Sequence, residues 1–371
     1  MRRILVWVFR SAAAVAMVLL LAAAGMVAFD ASVRARNARE LTIRTADGID
    51  WGGFVTIGGS PEWIRIRGQH VSNPVLVILH GGPSDAQSEL TKLYAPLEQN
   101  FVVIQWDQRG AGRTFGRGVR LTPSIPYERL VQDGLEVTEY VLHRMHQPKV
   151  ILLGHSLGSV LGVHMIKQRP DLFYAFVGTG FLVAQRASES VIYRRLRDAA
   201  HKARDISTLA ALERTGPPPY RSVHDYLPLD EIVRNRYGDA SDRAFWGFNP
   251  TSEPAYVLTS PELTPMQMYD WYRAIMTTIF TMPYPPADQA DIRPLGYDFK
   301  VPFFIIQGEN DWNTPADVAL AYFQRIQAPH KGYIPIPGGH WAAMTHMPRF
   351  RDLLVTHVLP ATSGLPAAQS P

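Results

Sequence analysis

Three residues of this 371-residue chain have the types and order of an acyl-transfer set: Ser156 in "LLGHSLGSVLG", Asp311 in "IIQGENDWNTP" and His340 in "IPIPGGHWAAM". A serine hydroxyl is a weak nucleophile until a base takes its proton, and a histidine becomes that base when a carboxylate fixes its ring. The chain order Ser, Asp, His is that of a nucleophile on a sharp strand-to-helix turn, with the acid and the histidine after later strands. Gly-x-Ser-x-Gly by itself is weak evidence. At average glycine and serine usage it arises by chance in about one chain of this length in eight, so the surrounding elements must decide.

Those elements have the required pattern. The apolar run 150–154 leads into Ser156, and residues 159–168 read as a helix. The runs "VLVILH" (75–80) and "FVVIQWD" (101–107) are β-branched and unalternating, as parallel strands covered on both faces should be. Residues 127–146 place Leu130, Gly134, Val137, Val141 and Met145 on one helical stripe, giving the strand–helix–strand unit of a doubly wound sheet. A strand follows at 173–177. The rhythm then stops over 181–298, where helical segments are separated by "GPPPY" and "MPYPP", a stretch too long and structured to be a loop. Strands return at 301–307 and 332–336, with a helix over 316–326 between them. Near the start, short strands are expected at 41–45 and 63–67, with turns around Gly52 and Gly53 and around Gly58 and Gly59.

The predicted fold is therefore α/β, a mostly parallel doubly wound sheet with a helical cap inserted after the sixth strand. The chain divides into an N-terminal anchor or signal segment with linker (1–40), a first part of the core (41–180), the cap (181–298) and a second part of the core (299–371). Asp311 and His340 would both lie at the carboxyl edge of the sheet, where open α/β folds bind ligands. Glu309 is the alternative acid and His346 the alternative base. His155, inside the serine turn, reads as a packed neighbour. A negatively charged tetrahedral intermediate would need backbone donors: the N–H of Leu157, next to the nucleophile, and one from the "HGGPS" loop, Gly82 first and Gly81 second.

Composition narrows the alternatives. There is no cysteine, which excludes disulfides, thiolate metal sites and a cysteine nucleophile. The formal net charge is +4. Six arginines against Asp30 and Glu40 in the first 40 residues account for all of it, leaving a neutral body without the basic patch of a nucleic-acid reader. Residues 11–29 carry no charge and follow Arg2, Arg3 and Arg10. That length crosses a bilayer and that leader keeps the N-terminus cytoplasmic, so a retained anchor, or else a cleaved signal, puts the body outside the cytoplasm. No metal or organic cofactor is signalled.

The segments "HGGPS", "WDQRGAGRT", "GHSLG", "GENDW" and "GGHW" together resemble the motif series of the α/β-hydrolase superfamily, and within it the proline iminopeptidase (prolyl aminopeptidase) branch, over residues 41–360. The resemblance implies a Ser156–His340–Asp311 triad, a helical cap over the site, and Asp107 and Arg109 as braces of the surrounding loops. It also implies cap carboxylates that hold a substrate's free amine, to be drawn from Glu189, Glu213, Asp225, Glu231, Glu253 and Glu262. The substrate would be a small molecule or short peptide with an N-terminal proline. Ser84, Leu157 and Thr114 stand where that branch usually has glycine, tryptophan and serine. These departures leave the catalytic set intact but open a second reading, an esterase, lactonase or amidase. A non-catalytic binding protein on the same scaffold is the third.

Overall fold

A computed structural model describes residues 2–362 apart from 83, 221, 248 and 282–289. Pro83 of the "HGGPS" loop, the "MPYPP" segment and the last nine residues of the core's second part lie outside the described residues.

Eight strands form one sheet: β1 (Ile49–Ile57), β2 (Ser60–Gly68), β3 (Val75–Leu79), β4 (Val102–Asp107), β5 (Val150–His155), β6 (Phe173–Thr179), β7 (Phe303–Gly308) and β8 (Lys331–Ile336). Their order is β1-β2-β4-β3-β5-β6-β7-β8. The β1–β2 and β2–β4 pairings are antiparallel, and the rest are parallel. Every residue of β3, β4, β5 and β7 is buried, which is why these strands read as unbroken apolar runs. Their side chains alternate between two cores. Val77, Leu79, Ile104 and Leu152 pack on one face, and Leu76, Ile78, Val103 and Ile151 on the other. The helix Tyr127–Met145 covers the first face with Val131, Leu135, Val137 and Val141, close to the stripe read from sequence.

Two expectations near the N-terminus fail. Residues 41–45 form no strand, because their backbone bonds are local: Leu41 N–H closes onto Asn37 O at 2.9 Å and Gly48 N–H onto Thr45 O at 3.2 Å. Gly52 and Gly53 lie inside β1 rather than in a turn. Indole rings occupy the space their side chains would fill, Trp63 against Gly52 and Trp51 against Gly53. The turn at Gly58 and Gly59 is found, both with positive φ.

Between β6 and β7 the described chain runs through six α-helices: Gln185–Ala203, Ile206–Thr215, Val223–Ile232, Ala240–Trp246, Glu253–Leu258 and Pro265–Thr281. This is the helical insertion expected after the sixth strand. A separate long helix, Arg2–Glu40, precedes the sheet.

Candidate active site

The serine turn is built as the sequence pattern requires. β5 ends at His155, Ser156 has φ 53° and ψ −123°, and a helix begins at Leu157. A non-glycine residue in that region costs about 1–3 kcal/mol and persists only when its surroundings hold it there. Here the holding bonds are Ser156 N–H to Thr179 O on β6 at 3.0 Å, and Ser159 to Ser156 O through both N–H (2.9 Å) and Oγ (2.6 Å). The flanking glycines are sterically obligatory. A methyl at Gly154 would lie 2.5 Å from Gly158 O, and one at Gly158 would run into Leu79 O.

The structure brings Asp311 and His340 into contact. Asp311 Oδ2 lies 3.0 Å from His340 Nδ1, with both residues buried. The carboxylate is fixed on every side. Oδ1 accepts from the N–H groups of Asn313 (2.8 Å) and Thr314 (2.7 Å), and Oδ2 from Gln307 Nε2 (2.9 Å) and Thr314 Oγ1 (2.8 Å). Burial disfavours the imidazolium of His340. The Asp311 charge and hydrogen bond, with the charges of Asp242 and Asp85, outweigh it and hold the pKa above the ordinary value. The ring of His340 lies 4.9 Å, centroid to centroid, from that of His155, the residue before the serine. Gly180, which follows β6, is pressed against both imidazoles. A histidine held by a carboxylate in this way, packed against the residue that precedes a strained serine, can act as a base.

The alternatives read from sequence are placed elsewhere. Glu309 is exposed at the end of β7. His346 has its Nδ1 on Ala342 O (3.2 Å) and Thr345 Oγ1 (3.0 Å). His155 binds Thr179 Oγ1 at 3.0 Å, and burial, then the charge of His340, pushes its pKa well down. It is a packed neighbour.

The "HGGPS" loop lies against the serine, since a methyl on Gly81 would come within 2.8 Å of Ser156 Cβ. Gly82 has φ 113°, a backbone that favours glycine. His80 organises this loop. Its Nε2 accepts from Gln108 N–H at 3.2 Å and its Nδ1 faces Gly81 O at 2.9 Å, which assigns the ring proton to Nδ1. Burial pushes its pKa down to about 4, so it stays neutral. Gln108 Nε2 also donates to His80 O at 3.0 Å. Next to it, Arg109 bonds Asp133 (3.1 Å) and Ser60 Oγ (2.8 Å), and Asp107 accepts Arg113 N–H at 2.9 Å. Gln108 thus braces the loop beside the serine, while Arg109 ties its segment to the helix Tyr127–Met145 and to the start of β2, and Asp107 holds the turn that follows it.

One contributor comes from an unexpected quarter. Asp242, on the insertion helix Ala240–Trp246, accepts the backbone N–H of His340 on Oδ2 (2.7 Å) and that of Trp341 on Oδ1 (3.0 Å). The residues "GGHW" give no hint that a distant aspartate holds them. Asp242→Ala should cost about 2 kcal/mol, the scale of a hydrogen bond to a charged group, and lower kcat more than it raises KM. Denaturant melts with steady-state kinetics check this, and wild-type values in both would mean that the core alone holds the loop.

Of the six carboxylates proposed to read an amine, Glu213 and Glu231 are exposed, Asp225 caps its own helix at Ser222, and Glu262 pairs with Arg65 at 2.8 Å. Glu189 and Glu253 are buried. Glu253 sits within the fields of Asp85 and Glu89, and burial, then those charges, pushes its pKa well up. Burial likewise pushes Asp85 up to about 7, against the pull of His340. Both Glu253 oxygens and Asp85 Oδ1 have no hydrogen-bond partner among the described residues. Asp85 was not singled out from sequence, since an aspartate after a Gly-Gly-Pro loop looks like any turn residue.

Comparison with known proteins agrees with this architecture. Residues 74–347 match the family model for the alpha/beta hydrolase fold. The chain is 29% identical over 281 residues to a probable aminopeptidase, YbaC, of Bacillus subtilis (strain 168), covering 75% of this chain and 86% of that one. It is 30% identical over 118 residues to a proline iminopeptidase of Saccharolobus solfataricus, covering 31% of this chain and 35% of that one. Among solved structures, the proline iminopeptidase of Mycobacterium smegmatis superposes with a TM-score of 0.55 at 18% identity, over 84% of this chain and 99% of that one. That likeness speaks for the fold. With the family model spanning most of the chain, the protein is a hydrolase that belongs to the α/β-hydrolase family and resembles its proline iminopeptidase branch.

Proposed function

We propose that this is a serine hydrolase working through an acyl-enzyme, with Ser156 as nucleophile, His340 as base and Asp311 as the orienting acid. The observation that carries the reading is the buried Asp311–His340 contact at 3.0 Å, with the His340 ring packed on that of His155, the residue before a serine in a strained turn. Ser156 Oγ attacks the substrate carbonyl carbon while His340 Nε2 takes the hydroxyl proton. The carbonyl oxygen becomes an oxyanion facing the N–H of Leu157 and of Gly82, with Gly81 beside it. His340 then returns the proton to the leaving amine as the C–N bond breaks. Water, deprotonated by the same histidine, releases the acyl group and restores the serine. Asp311 stays ionised throughout, fixing the ring through Nδ1–H.

The substrate in this reading is a small peptide with a free N-terminal residue, preferably proline, and 181–298 is the cap over the site. Its support is the naming of the relatives and the buried Glu253 and Asp85, whose ionised forms a substrate ammonium would stabilise. The N-terminal helix is read as a membrane anchor, since residues 15–29, wherever their side chains are described, are exposed and nearly all apolar. Prolyl anilide, its N-acetyl form and a short nitrophenyl ester, offered to the full chain in detergent, test the specificity. Cleavage of the anilide but not its acetylated form is expected. Cleavage of the ester alone would keep the catalytic set and replace the peptidase by the esterase reading.

A further inference from the structure

We infer that the insertion rests on a lipid surface through Leu258, Met266, Tyr269 and Tyr272, the same surface that the N-terminal helix enters. The inference depends on the anchor reading above and adds a second, independent contact to it.

The first observation is where the long helix meets the body. Its C-terminal turns dock on the insertion and nearby core. Arg34 donates to Leu263 O and reaches Met268 Sδ at 4.0 Å, and Asn37 Nδ2 donates to Thr259 O at 2.9 Å. Lys92 adds Asn37 Oδ1 at 2.8 Å and Glu40 at 2.7 Å. At 1.5 Å per residue, Arg34 stands only about 8 Å beyond Phe29, the end of the uncharged run, and Asn37 about 12 Å. Between Thr259 and Met268 the insertion therefore steps from Asn37 down to Arg34, toward the lipid. The headgroup layer beyond the hydrocarbon is about 5–8 Å deep on each side. The start of helix Pro265–Thr281 is thus held at its outer edge.

The second observation is what that helix presents there. Met266, Tyr269 and Tyr272 follow at intervals of three along one exposed row, and Leu258 lies next to the Asn37 contact. They are 65%, 55%, 55% and 53% exposed, on a body whose other large apolar side chains are mostly buried. Tyrosine and methionine with arginines alongside (Arg34 from the N-terminal helix, Arg273 5.4 Å from the Tyr269 ring) are the chemistry of an interfacial helix. Its rings lie at headgroup level and its cations meet phosphates.

The opposite face of the same helix reaches the catalytic loop. Trp271 Nε1 donates to Ala86 O at 3.2 Å, and Thr278 Oγ1 lies 2.8 Å from Ser84 Oγ. A helix held between lipid and the "HGGPS" loop couples membrane contact to the part of the site that would hold the oxyanion.

The absence of cysteine makes the test direct, because one introduced thiol is labelled uniquely. Leu20→Cys and Tyr269→Cys, each in the full chain, are labelled with a nitrobenzoxadiazole fluorophore. Each is reconstituted in vesicles of phosphatidylcholine and phosphatidylglycerol carrying nitroxide lipids. The expected result is loss of Leu20 fluorescence to nitroxides deep in the acyl chains and loss of Tyr269 fluorescence to nitroxides at the headgroup. A Tyr269 label that stays bright with either nitroxide, while Leu20 is quenched, overturns the inference and leaves the anchor intact. If Leu20 itself is not quenched, the anchor reading fails and the inference falls with it.

Discussion

Replacing Ser156 by alanine should lower kcat by about 10⁴- to 10⁶-fold on every substrate the enzyme accepts, with the fold unchanged. The magnitude is that of removing the nucleophile from a set that acts as a unit; what remains is catalysis by binding and the oxyanion donors. The fold should survive because the elbow is held by backbone groups. Ser156 N–H bonds Thr179 O, Ser156 O accepts two bonds from Ser159, and alanine keeps both. Melting temperature and turnover measured on the same preparation decide. Turnover near wild type with an unchanged melt would remove Ser156 from the mechanism, and with it the acyl-enzyme.

Asp311→Asn is the second large effect, a fall in kcat of about 10⁴-fold, as expected when a carboxamide can no longer hold the imidazole in its working tautomer. The local geometry makes the change severe. Oδ2 accepts from His340 Nδ1, Gln307 Nε2 and Thr314 Oγ1, so an amide nitrogen placed there opposes the Gln307 donor and can bond His340 only by leaving Nδ1 without its proton. If the amide flips, Oδ1 meets the N–H groups of Asn313 and Thr314 with the same conflict. The pH profile gives a separate reading. His340 must be unprotonated to accept the serine proton, so activity is lost as pH falls through its raised pKa. Removing the Asp311 charge and leaving burial in control lowers that pKa, and the acid limb of kcat/KM should move to lower pH. A purely structural defect would lower the whole profile without moving the limb. Glu309→Gln, on the exposed neighbour, is the control and should leave both rate and limb in place.

Much of the architecture could be read from local pattern because the physics there is local. Strands covered on both faces are apolar over most of their length, so β3, β4, β5 and β7 stood out within one or two residues of their ends. A strained serine between two obligatory glycines carries its geometry in five letters, and Ser156, Asp311 and His340 could be singled out before any coordinates. Where the reading failed, a distant group decided. Gly52 and Gly53 look like a turn, yet they are strand because the Trp63 and Trp51 rings need the space. Residues 41–45 look like a strand, yet their backbone bonds close on the preceding helix and turn.

The sequence alone therefore determined the class of the fold, the order of its strands along the chain and the residue types able to do the chemistry, since burial periodicity and motif spacing are properties of neighbours in sequence. Tertiary structure decided what those neighbours cannot encode. Asp242 comes from the insertion, 98 residues before the histidine it holds, and Gln108 grips His80 across two adjacent strands. Burial, joined at Glu253 by the charges of Asp85 and Glu89, and not residue type, sets the protonation of Asp85 and Glu253. Which carboxylates stand beside the site, and which helix links its glycine loop to the N-terminal helix, depend on how the insertion folds back over the sheet edge, and no local spacing specifies that packing.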